Sequence, residues 1–186
     1  MTTITPAAEP QTTTWSIDPA HTEVGFEVKH LMISKVRGRF GAVTGTIELD
    51  AANPSRSTVT AEIDVTSIDT RQEQRDAHLR SADFFDVDHF PAITFRSRGV
   101  EAAGEGRYRV TGDLTIRGVT REVALDTTDE GRGRDPWGGE RAAFSASLVI
   151  DRRDFGLTWN QALETGGLLV ANDIRITLDV QAVKAA

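Results

Sequence analysis

The chain contains no cysteine. Disulfides, thiolate nucleophiles and cysteine-ligated zinc are excluded with it. No run approaches the roughly 18 consecutive apolar residues of a membrane-spanning helix. The N-terminus, Met1-Thr-Thr-Ile-Thr-Pro-Ala-Ala-Glu-Pro, has neither the basic start nor the apolar stretch of about 7–15 residues that marks a secretory signal. A cytoplasmic location is therefore expected. Positive charge is also scarce: 21 Lys and Arg face 28 Asp and Glu, a formal net charge of -7. A nucleic-acid binder needs a basic face to displace counterions from phosphates, and a polybasic membrane anchor needs clustered cations. The overall balance disfavours both, while leaving room for local basic contacts.

Catalytic signatures are missing as well. His21, His30, His78 and His89 form no HExxH, no HxH and no i, i+4 pair that would hold a metal. Asp83, Asp86, Asp88 and His89 lie close together, but without the spacing of a calcium loop. They read as turn and capping groups, and no metal or cofactor is expected. No GxSxG is present. Gly-Arg-Gly-Arg at 131–134 is not a phosphate loop and reads as an exposed turn. Arg75, Asp76 and His78 invite an acid–base reading, and a salt-bridged helix face explains the same residues.

What the chain has is strand periodicity. Its 186 residues, 39% hydrophobic and 26% charged, fit one globular domain. Residues 1–14 carry no periodicity and are expected to be a disordered N-terminal tail, with the domain at 15–186. Within Thr58–Thr66, Val59, Ala61, Ile63 and Val65 alternate with polar residues, the pattern of a half-solvated strand. Ile174, Ile176, Leu178 and Val180 repeat it, as do Phe144, Ala146, Leu148 and Ile150. Shorter versions occur at Val24/Phe26/Val28, Ile93/Phe95, Leu114/Ile116 and Val123/Leu125. A long segment from Val36 to Leu49 reads as strand bent at its glycines. About eight strands result, with turn signals at 53–55, 104–106 and 135–139, which suggests a sandwich or barrel.

One segment departs from this pattern. Thr70 and Glu73 have capping-box spacing, which predicts a helix over 71–81 with Asp76 and Arg80 paired along it. Phe84, Phe85 and Phe90 follow and are placed to plug a barrel end. The stretch 155–170, with Leu157, Trp159, Leu163 and Leu168, is unusually apolar for a loop and is read as a lid or mouth. An eight-stranded barrel is either filled by side chains or holds one small ligand. Ala61, Ala146, Gly25 and Gly112 are small residues that favour a cavity, but pattern alone leaves both possibilities open.

Four blocks carry a more specific signal. The first is Trp15-Ser-Ile-Asp-Pro-Ala-His21 with Lys29-His30-Leu-Met-Ile-Ser34-Lys-Val-Arg-Gly38-Arg-Phe40. The second is Arg75-Asp-Ala-His78-Leu79, Asp83-Phe-Phe-Asp86 and Phe90-Pro-Ala-Ile-Thr-Phe95. Then come Val110-Thr-Gly112-Asp-Leu-Thr-Ile-Arg-Gly118 and Asp151-Arg152-Arg-Asp-Phe155-Gly. In order and spacing the sequence resembles the YceI-like family of bacterial lipid- or polyisoprenoid-binding proteins, from about residue 15 to 183. Thr22 stands where the family usually has Ser, and Ala171-Asn172 where Gly-Asp or Gly-Glu is usual.

The resemblance implies an all-β, eight-stranded antiparallel lipocalin-like barrel with one short helix near an end. It further implies non-catalytic binding, transport or storage of a polyisoprenoid or similar long-chain amphiphile, such as a quinone or fatty amide. The expected lining on the N-terminal side is Phe26, Val28, Phe40, Ile63 and Val65. The central strands add Phe95, Leu114, Ile116 and Leu125, and the C-terminal strands add Phe144, Leu148, Ile176 and Leu178. His30, Arg75, His78 and Arg152 are the candidates for a polar head group. Two alternatives stand beside the carrier: an enzyme on a bound lipid using Asp76 and His78, and an interaction module with a packed barrel. A homodimer is compatible with the pattern.

Overall fold

The computed structural model describes residues 11–186. Its strands are β1 (Thr12–Ile17), β2 (Glu23–His30), β3 (Ser34–Phe40), β4 (Val43–Asp50), β5 (Thr58–Asp64), β6 (Ile68–Asp69), β7 (Ala92–Gly104), β8 (Arg107–Ile116), β9 (Val119–Arg134), β10 (Glu140–Asp151) and β11 (Val170–Lys184). The helix is α1 (Glu73–Arg80). Every pairing is antiparallel, and β1 pairs with β11 to close the sheet.

Eleven segments make an eight-stranded barrel because three wall strands are bent. The early part of β11 pairs with β2 and its last residues pair with β1, so β1 and β2 are one broken strand. In the same way β3 and β4 pair with β2 and β1, and β5 and β6 pair with β4 and β3. Each break has a local cause. The Asp18 carboxylate accepts from the Ala20 amide at 3.0 Å and Pro19 follows it, which starts a 3-10 turn. Asp64 accepts from Thr66 N at 2.9 Å and starts another at Val65–Ser67. Gly41-Ala42 separates β3 from β4. The last two breaks lie side by side, since Asp64 N donates to Ala42 O at 2.9 Å. The segment 36–49 is thus one wall strand, bent at Gly41 as the sequence suggests.

Four local expectations are corrected. Thr12–Thr14 belong to β1, paired with β4, so the tail cannot extend to residue 14; residues 1–10 lie outside the described residues. The helix starts at Glu73 with Gln72 as its cap, not Thr70. Thr70 is held elsewhere: its amide donates to Asp76 Oδ1 at 2.9 Å and its hydroxyl donates to the same oxygen. Arg80 donates to the carbonyls of Thr66 and Ile68 rather than pairing with Asp76. Finally, Gly131–Arg134 is not a turn but the end of β9, paired with β10.

The bend at Asp18 is tied to β10, one strand beyond β11. Arg141 Nη1 stands 2.7 Å from its carboxylate and His21 Nδ1 2.8 Å, and these hydrogen bonds lower the Asp18 pKa from 3.8 to about 2. A folded-state pKa below the unfolded one gives stability that is present above the unfolded value and lost as pH falls through the folded one. Asp18→Asn is expected to be less stable than the wild type at neutral pH. In urea titrations the gap should close as pH drops from about 4 to about 2. A gap independent of pH would show that the carboxylate's charge is not what holds the bend.

The candidate binding cavity

Alternation on eight wall strands sends one set of side chains inward. They do not meet in the middle. A cavity of about 670 Å³ runs inside the barrel, within the range typical of small-molecule sites. The wall is contributed by all eight wall strands, and its middle is apolar: Phe26, Ile63, Phe95, Leu125, Phe144 and Leu148, among others.

Of the expected lining residues, Val28, Phe40, Leu114, Ile116, Ile176 and Leu178 also stand on this wall. Val65 does not. The turn begun by Asp64 removes it from the strand, its amide donates to Pro91 O at 2.9 Å, and it is buried among the end residues. Ala61 and Ala146 line the cavity as small residues. Gly112 acts differently: a Cβ there would stand 2.6 Å from the Phe95 ring and 2.4 Å from Arg96 O. Gly38 relates to the Phe26 ring in the same way, at 2.3 Å. These glycines let two rings lie back over the wall, which leaves the middle open. A Cβ at Gly25 would meet Thr177, so that glycine does not widen the cavity.

One end is closed by α1 and the segments around it. Leu79, Phe84, Phe85, Phe155 and Leu157 line this end. His78, Phe84 and Trp159 stack against one another with ring centroids 4.7–5.3 Å apart, which joins the helix to the 156–170 loop. Phe90 lies outside the cavity, its ring over Gly118. Leu163 and Leu168 are also outside it, in a tight turn bridged at Ala162 and Leu168.

The candidate head-group residues are mostly engaged elsewhere. Arg75 donates to the Thr70 hydroxyl at 2.7 Å and to its carbonyl at 2.8 Å. His78 is bonded to Asp83 at 2.9 Å, and Asp76 is buried on Thr70. Asp76 and His78 therefore do not form the acid–base pair required by the enzymatic alternative. His30 stands at the end of β2, off the cavity wall. Arg152 does reach the wall, but its guanidinium donates to the carbonyls of Ala171, Leu157, Trp159 and Val170. It fastens the 156–170 loop. Burial pulls its pKa below the usual arginine value.

The polar part of the wall is at the opposite end. Asp50, Ser57, Tyr108, Thr127, Asp129, Arg132 and Glu140 line the cavity there. Arg132 lies over the rings of Trp15 and Phe144, 5.7 and 5.1 Å from their centroids, and donates to Asp129 at 2.7 and 3.0 Å. Asp50 is 2% exposed and accepts from the amides of Ala52 and Asn53. Its other oxygen stands 3.0 Å from Arg56 Nε without a well-directed hydrogen bond. Sequence reasoning missed this end. The available signal was the Gly-Arg alternation at 131–134, which puts Arg132 and Arg134 on one face of a strand.

Known proteins share this architecture. The YceI-like domain profile matches residues 15–182. The chain belongs to the YceI-like family. A UPF0312 protein of Staphylococcus aureus is 38% identical over 164 residues, 88% of this chain and 93% of that protein. The crystal structure of Burkholderia cenocepacia BcnA superposes with a TM-score of 0.78 at 25% identity, covering 89% of this chain and 98% of BcnA. A polyisoprenoid binding domain from Saccharophagus degradans shares the fold, with a TM-score of 0.70 at 13% identity over 93% of this chain and 99% of that domain. Among the described residues of this YceI-like chain, no three His, Asp or Glu side chains converge as metal ligands. No described helix is long and apolar enough to cross a membrane.

Proposed function

We propose that the protein binds and carries a long-chain apolar amphiphile, a polyisoprenoid or a similar tail such as that of a quinone, without transforming it chemically. The observation that supports this most is the apolar-walled cavity of about 670 Å³ inside the barrel. Sheathing a hydrocarbon tail removes its surface from water at about 0.8 kcal/mol per methylene, so a five-carbon unit contributes roughly 3–4 kcal/mol. A micromolar dissociation constant needs about 8 kcal/mol. A few units therefore suffice, even after the ordering cost of association. The Saccharophagus domain speaks for the architecture, and the guest class rests on the cavity's own walls.

The head group is assigned to the Asp50–Arg132 end rather than to the helix end. Charges there are already paired: Arg132 with Asp129, Lys184 with Glu140, and Arg56 beside Asp50. A phosphate would need an uncommitted cation. A neutral hydroxyl, carbonyl or amide can be met by Tyr108, Ser57 and Thr127. Mass spectrometry of the purified protein, native and then denatured, tests the reading. A guest released on unfolding, and uptake of added polyprenol or quinone in preference to polyprenyl phosphate, is expected. No retained guest together with no uptake would overturn it.

A further inference from the structure

The hairpin between β2 and β3 ends in Leu31-Met32-Ile33, and its exposure has no role in the cavity. Ile33 is 87% exposed, Met32 58%, Leu168 41% and Leu31 38%. These are four of the six large exposed hydrophobic residues among the described residues. They form one patch: Leu31 N donates to Leu169 O at 2.9 Å, and the Met32 side chain lies 4.0 Å from where a Cβ on Gly167 would stand. Leu31 and Met32 adopt φ of 54° and 61°, a left-handed conformation that large side chains rarely take. Apolar residues held in strained positions and pushed into water point to a docking role.

The surroundings indicate what is docked. The chain is acidic, yet two of its three lysines, Lys29 and Lys35, flank this tip. The hairpin carries four cations, Lys29, Lys35, Arg37 and Arg39, against two carboxylates. Glu27 is shared by Lys35 and Arg37, Arg39 is paired with Glu23 and Asp69, and Lys29 enters no ion pair among the described residues. With Asp69, and Glu164 on the neighbouring turn, the carboxylates also number four; what distinguishes the tip is that both lysines flank it, while Glu23 and Asp69 stand with Arg39 at the far end of the hairpin. An apolar tip flanked by two lysines on an otherwise anionic body matches an anionic lipid surface, where the side chains enter the acyl boundary and the ammonium groups meet head groups.

We propose that the Leu31–Ile33 tip, with Leu168, is a docking point for anionic membrane surfaces. This patch lies on the 156–170 side of the barrel, where Val28 and Val170 reach the cavity. Docking does not depend on the cavity's guest, so the two proposals fail separately.

Flotation with vesicles of phosphatidylcholine alone, or with added phosphatidylglycerol, tests it. The wild type is expected to float with the anionic vesicles and not with the neutral ones. A lysine near an anionic surface strengthens binding by about fivefold, so Lys29→Gln with Lys35→Gln should weaken it about 25-fold. Met32→Ser with Ile33→Ser should abolish it while the thermal melt is unchanged, since both side chains are exposed. Equal flotation with neutral vesicles, or no flotation of the wild type, overturns the proposal. So does a wild-type dimer that Met32→Ser with Ile33→Ser converts to monomer without any lipid binding, because the patch is then a contact between two copies.

Discussion

Phenylalanine at Ala61 and Ala146 together is expected to leave the barrel folded and to abolish uptake of a polyprenol or quinone tail. Both alanines stand on the cavity wall, Ala61 opposite Phe95 on β7 and Ala146 opposite Leu178 on β11. Because the cavity is open there, an added ring projects into free volume instead of overpacking a filled core. Each ring displaces at least two methylenes of a threaded tail. At about 0.8 kcal/mol per methylene, each costs about tenfold in affinity, and the pair about a hundredfold or more. Titration with a fluorescent polyprenyl analogue reads the loss, and a thermal melt checks the fold. If the melt of the double variant collapses, Ala146→Phe alone carries the test. Wild-type uptake by a folded double variant would mean the tail lies outside the barrel.

Arg152→Met is expected to destabilise the protein by about 3–5 kcal/mol, the lower part of the cost of leaving three carbonyl oxygens without a donor. Arg152 is 4% exposed, and among the described residues no carboxylate forms a salt bridge with it. Its guanidinium is instead satisfied by four backbone carbonyls, Ala171 at 2.9 Å, Leu157 and Trp159 at 2.8 Å, and Val170 at 3.3 Å. Methionine fills the volume but strands those oxygens, except that Val170 O keeps the Asn160 side chain at 2.7 Å. Unmet buried acceptors cost about 1–3 kcal/mol each. For a chain of this size the midpoint of thermal unfolding should fall by about 10 °C. Arg152→Lys should fall between, because one ammonium cannot span four carbonyls set around a planar fork. Amide hydrogen exchange should rise first across 156–170, the loop the guanidinium holds. A methionine variant that melts with the wild type, with that loop still protected, would show the clamp to be dispensable.

These three residues mark how far the sequence could be read. Ala61 and Ala146 were legible because alternation on a strand assigns each residue to a face regardless of what lies beyond it. The same rule placed twelve of the thirteen expected lining residues on the cavity wall. It failed at Val65, where a carboxylate three-dimensionally trivial in sequence, Asp64, caps a turn and ends the period. Arg152 was noticed, but its role was misread. An arginine next to an apolar loop has the same sequence signature whether it meets a ligand or ties down the chain. Only the positions of four carbonyls on two separate segments decide between them.

Local rules determined the strands, the turns between most of them and the inward set of side chains, because those depend on neighbours one or two residues away. Whether the inward set leaves room was a tertiary matter. It depends on the circumference of eight wall strands and on rings lying back over Gly38 and Gly112. The polar end and the apolar tip were likewise invisible in one dimension. Asp50, Tyr108 and Arg132 are far apart along the chain, as are Met32 and Leu168, and closure of the barrel is what brings each set together.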